Sequence, residues 1–169
     1  MRVYLPATIG TLRRLVEDGR FAPLGGTGFA LTPALRESYT SGDTEELEYA
    51  ALLDAARASL RLIAAEQDDG GDEKNPPRRV VISADVEQAT PRPDLDAAVV
   101  RISGPVELAQ IAAVHVDTAE AEAAVVAAAA VIDAADLGDD DAEFALGEAE
   151  DHELAWYAPQ ELPFLLELL

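Results

Sequence analysis

Cysteine is absent from this 169-residue chain, which excludes disulfides, thiolate metal sites and a cysteine nucleophile. Redox chemistry by the protein's own side chains goes with them. Aromatic residues are scarce at 5%. The core therefore has to rest on Val, Leu and Ile, with Tyr4, Phe21, Phe29, Tyr39, Tyr49, Phe144, Trp156, Tyr157 and Phe164 as its few large pieces. No apolar run approaches the roughly 18 residues of a membrane span, and the opening MRVYLPATIG lacks the apolar stretch of a signal peptide. The expectation is a cytoplasmic protein that does not engage membranes. Basic residues are missing from the C-terminal part: residues 102–169 hold 16 acids and no Lys or Arg, whereas residues 1–101 hold 17 acids and all 12 bases. A net charge of −21 repels nucleic acid and anionic lipid and favours cations or basic protein surfaces. Direct nucleic-acid binding is not expected.

What is present describes one α/β (α+β) domain over residues 1–169, with a mixed, mostly antiparallel sheet of about five strands packed with helices. A strand over Arg2–Pro6 puts Val3 and Leu5 on one face. A helix follows, capped by Thr8, striped by Ile9, Leu12, Leu15 and Val16 and ended by Gly19. Gly25, Gly26 and Gly28 do not make a phosphate cradle, because no Lys-Ser/Thr pair and no immediate helix follow them. The next helix starts at Pro33 with Thr32 as its cap. The strongest helix signal runs from Asp43, three residues before Glu46, to Glu66. Leu47, Ala51, Ala55, Ala58 and Leu62 form its core side, and Glu45, Glu46 and Glu48 load its positive end.

Residues 67–79, polar and rich in turn formers, read as a flexible loop. Two strands, Arg79–Val86 and Ala97–Ser103, then read as an antiparallel pair, and IAAVHVD as a third strand. Asp117, three residues before Glu120, reads as the cap of an alanine-rich helix over Thr118–Ile132. The acidic segment 133–151 reads as a solvated connection pinned by Leu137, Phe144 and Leu146, with a short helix over Asp141–Glu150. A strand in HELAWYA and a terminal helix from Pro159 complete the chain.

The stretches MRVYLPAT, FALTPALRE, EELEYAALLDAARASLRLI, AAVHVDTAEAE, DLGDDDAEFAL and HELAWYAPQELP resemble a family of uncharacterised cytoplasmic proteins from high-GC actinobacteria. The resemblance spans nearly the whole chain. It implies a one-domain cytoplasmic protein and brings no catalytic motif with it.

Four constellations bear on chemistry or binding. His115 and Asp117, two apart on one strand, project from the same face beside a helix start. With His152 they could serve acid–base or metal-assisted catalysis. Asp139, Asp141, Glu143 and Glu150 stand at positions 1, 3, 5 and 12 of a calcium loop, but position 6, which needs a turn residue, is Phe144. The expectation is diffuse cation attraction and no bound cofactor. The hydroxyls of Ser38, Thr40, Ser41, Ser59, Ser83 and Ser103 lie in no nucleophile elbow. Finally, Trp156 and Tyr157 point to opposite faces of a strand, and Leu162, Leu165, Leu166 and Leu169 stripe the last helix. These residues could seat a basic protein partner or a second copy of the chain. The leading expectation is therefore a non-enzymatic acidic binding or regulatory module, and the alternative is a small enzyme using His115 and Asp117.

Overall fold

The computed structural model describes residues 1–169. The strands are β1 (Arg2–Ala7), β2 (Arg20–Phe21), β3 (Thr27–Phe29), β4 (Val80–Asp85), β5 (Thr90–Pro91), β6 (Val99–Arg101), β7 (Val106–Glu107), β8 (Ile111–Val116) and β9 (Ala155–Tyr157). The helices are α1 (Ile9–Asp18), α2 (Pro33–Ser38), α3 (Thr44–Asp68), α4 (Glu122–Ala130), α5 (Ile132–Asp136), α6 (Asp140–Glu150) and α7 (Leu162–Glu167). Seven strands form one sheet in the order β5-β6-β3-β1-β4-β8-β9, with every neighbouring pair antiparallel, while β2 and β7 pair separately. The architecture is α+β. No helix is long and apolar enough to cross a membrane.

Alternation along the central strands sorts side chains between two cores. Val3, Leu5 and Ala7 of β1 face α1 and α7, where Leu12, Leu15, Leu162, Leu165 and Leu166 close over them. Tyr4, one position out of phase, faces α3 on the other side with Phe29, Val81 and Val99. The α3 residues meeting this face are Ala51, Leu52, Ala55 and Ala56, whose small side chains let helix and sheet approach closely. Farther along α3, Leu60 and Ile63 turn to a third core built from α4, α5 and α6. This third contact shifts the buried side of α3: Leu52, Ala56, Ser59, Leu60 and Ile63 are buried, and Ala58 and Leu62 only partly so.

Local signals place the helix ends. The Thr8 hydroxyl accepts from Thr11 N, Thr32 from Leu35 N and Asp43 from Glu46 N, and Gly19 ends α1 in the left-handed conformation.

Several expectations are corrected. The strands at 80–85 and 99–101 do not pair, because β1 and β3 lie between them. The alanine-rich stretch is not one helix. A short 3-10 turn at 119–121 leads into α4, and a break at Val131 precedes α5. The acidic segment is helical, and its anchors are Ala142, Leu146 and Ala149, while Leu137 and Phe144 are 89% and 70% exposed. A helix period puts position 142, not 144, on the side of 146 and 149. Residues 69–79 lead from α3 into β4 without regular structure; on the way the Asn75 side-chain carbonyl accepts from Arg13 Nε at 2.9 Å.

At Gly26 the chain must run tight. Its φ is +68°, and a Cβ there would stand 2.6 Å from the carbonyl oxygen of Ile102. At Gly25, with φ +65°, a Cβ would meet only Thr27 Oγ1 at 3.6 Å. Gly25→Ala should therefore cost about 1 kcal/mol, the left-handed penalty alone, and Gly26→Ala about 2 kcal/mol. Paired urea unfolding curves check this; equal losses would show that the Ile102 carbonyl yields freely.

Candidate functional site

Between the N-terminal half of α3 and the β8–β9 end of the sheet lie two adjoining hollows of about 270 and 340 Å³. They share Tyr49, Leu52, His115 and Trp156, so they make one groove. Strand register builds its floor: His115 stands opposite Val81 on one side and Trp156 on the other, and Ser83 stands opposite Tyr4 and Ala113. Cross-strand partners share a face, so Tyr4, Ser83, His115 and Trp156 all project toward α3. The helix supplies the other wall with Glu45, Glu48, Tyr49, Leu52 and Leu53. Trp156 is 60% exposed, and Tyr49 is exposed beside it.

Hydrogen bonds fix the polar groups. Tyr4 Oη donates to Glu48 Oε2 at 3.0 Å, and burial together with that bond raises the phenol's pKa, so it stays protonated. Ser83 Oγ and His115 Nε2 lie 2.9 Å apart. Burial pushes the His115 imidazole below its ordinary value, and the field of Arg2 adds to this. A neutral imidazole bonded to a serine hydroxyl is thus the resting state.

Asp117 does not act with His115 and does not cap a helix. Its Oδ2 accepts from Arg79 N and Nε and its Oδ1 from Arg79 Nη2, all at 2.8 Å, with both residues nearly fully buried. Arg79 Nη2 also donates to the His152 carbonyl oxygen at 2.8 Å. This draws the chain entering β9 against the sheet. The groove accordingly has His115, His152 and Arg79 in the lining of one hollow, while the Asp117 carboxylate is taken up by Arg79.

The remaining sequence candidates fall elsewhere. Asp139 caps α6 through Ala142 N at 2.9 Å, and Glu143 pairs with Arg57 at 3.2 Å. With Asp141 and Glu150 they are spread along a helix, and no group of three or more possible ligands is brought together. Leu162, Leu165 and Leu166 are buried against α1 and the sheet, so they are core and offer no surface to a partner. Their stripe is consumed because the face of β1, β4 and β8 opposite α3 needs covering. Tyr157 packs at the margin of that same core. Sequence reasoning missed Tyr4 and Tyr49 as parts of a site, set Ser83 aside with the other hydroxyls, and explained Glu45 and Glu48, three apart and able to share a face, by the helix dipole. A larger hollow of about 450 Å³ near α1 sets Arg14 and Arg20 among Asp18, Glu66 and Asp69. There the arginines offset the carboxylates, and the one aromatic, Phe21, is buried.

The His115 environment has a thermodynamic consequence. A pKa lowered on folding means the unfolded chain binds more protons as pH falls through about 6.5, so stability drops on acidification there. His115→Gln, which can still bond Ser83, should flatten the stability profile between about pH 7 and 5 relative to the natural protein. Chemical unfolding across that range checks this, and parallel profiles would exclude His115 as the source.

The chain belongs to a family of unknown function, DUF6912, whose model matches residues 1–166. No curated protein and no solved structure matches it.

Proposed function

We propose that this protein is a non-enzymatic binding module that takes a basic segment of another protein, seated in the groove between α3 and β9. The observation carrying this reading is the pairing of the exposed Trp156 and Tyr49 rings with the Glu45 and Glu48 carboxylates around one hollow. A guanidinium or ammonium group gains from both an aromatic face and a carboxylate, and Trp is the strongest aromatic partner for it. The net charge of −21 would speed encounter with a basic partner and work against nucleic acid. A cytoplasmic setting belongs to this proposal.

Trp156 is the only tryptophan, so its fluorescence reports on the groove without a label. Titration with an arginine-rich peptide should give a saturable change that weakens as salt is raised. Titration with the glutamate counterpart should give none. If the two peptides respond alike, the reading fails.

An acid–base enzyme is the second reading, favoured by the 2.9 Å contact between Ser83 and His115 and by both histidines lining one hollow. Against it, the carboxylate that would orient His115 is bound to Arg79.

A further inference from the structure

We propose that the basic segment binds as an additional β-strand on the free edge of β9. The inference rests on the binding reading above and specifies how the partner is held. The sheet has two edges, β5 and β9. At the β5 edge the two-residue strand includes Pro91, which has no N–H to offer another strand.

The β9 edge is different. Its three residues pair with β8 through Val116 opposite Ala155, His115 opposite Trp156 and Val114 opposite Tyr157. No other hydrogen bond reaches the backbone of Ala155, Trp156 or Tyr157. The N–H and C=O groups of β9 that point away from β8, on alternate residues, therefore have no partner within the chain, and no proline or lysine within β9 guards them.

Charge decides the occupant. A second copy of the chain would bring another −21 to the same edge, with Glu153 just ahead of the strand and Asp151 close before it. A segment carrying Arg or Lys meets the opposite situation. In an added strand every second side chain lies on the α3-facing side, and the one opposite Trp156 stands about 5 Å from it. An Arg or Lys there stacks on the exposed indole. Main-chain bonds supply affinity, and the ring with its neighbouring carboxylates selects the charge.

The test uses the whole protein and a short peptide alternating arginine and valine, with Trp156 fluorescence as readout. Two modified peptides accompany it, one N-methylated on the arginine amides and one on the valine amides. Only one set of amides can face β9. One modified peptide should bind about tenfold or more weakly, and the other within about threefold of the unmodified peptide. Equal binding by all three, or equal loss in both modified forms, overturns strand addition and leaves the groove reading standing. Failure of the unmodified peptide to bind overturns both.

Discussion

Replacing Asp117 by alanine is expected to destabilise the protein by about 3–5 kcal/mol, the cost of leaving a buried guanidinium without its counter-charge. Arg79 and Asp117 are 2% and 1% exposed, so water cannot take over the lost hydrogen bonds. The pair exists because of strand register. Val80 stands opposite Val116 in the antiparallel β4–β8 ladder, which brings the residues just before and just after those strands together. The backbone closes the same contact, with Asp117 N donating to Arg79 O at 3.1 Å. Arg79→Met combined with Asp117→Leu should recover much of the loss, since an apolar pair removes both desolvation costs at once. It should not recover all of it, because the His152 carbonyl loses its donor. Urea unfolding of the two single variants and the double variant forms the cycle. A single-variant loss below about 1 kcal/mol would show that the buried pair contributes little to stability.

Trp156→Ala should weaken binding of the basic peptide about a hundredfold, an effect typical of an aromatic hot spot. The ring is mostly in solvent, so the same change should leave the melting temperature within about a degree or two. That combination separates a binding role from a structural one. Because the substitution removes the fluorophore, calorimetric titration is the measurement. Leu53→Ala, also exposed on the groove wall but carrying no aromatic face, serves as the comparison and should lose far less. If both variants bind like the natural protein, the indole is not the anchor, and the two carboxylates alone would have to account for any charge preference.

The features legible in the sequence were those set by neighbours along the chain. Thr8, Thr32 and Asp43 cap helices through amides three residues away, and Gly19 supplies the left-handed turn, so each signal and its partner lie within one reading window. The acidic pattern of Asp117 followed by Glu120 looked the same locally, but a stronger partner 38 positions away won the carboxylate. No local signal distinguishes a carboxylate that will bond an amide from one that will meet a buried arginine. The strands β2, β5 and β7 are two residues long, too short for alternation to register.

The groove shows the same division. Trp156 and His115 stood out one at a time, as an aromatic in an acidic tail and as one of two histidines. Their adjacency depends on β9 joining β8, with the His152 carbonyl just ahead of the strand held by Arg79. Glu45 and Glu48 had a complete local explanation in the helix dipole, and it remains valid, yet α3 also carries them to the wall facing Trp156.

By itself the sequence determined the α+β class, the positions of α1, α2 and α3 and the sign of the electrostatic field, because these follow from periodicity, caps and composition. Only the tertiary structure decided which strands pair, which leucines the sheet consumes and which aromatics stay exposed. Those outcomes depend on contacts between residues far apart in the chain, where a single pattern is compatible with several partners until packing selects one.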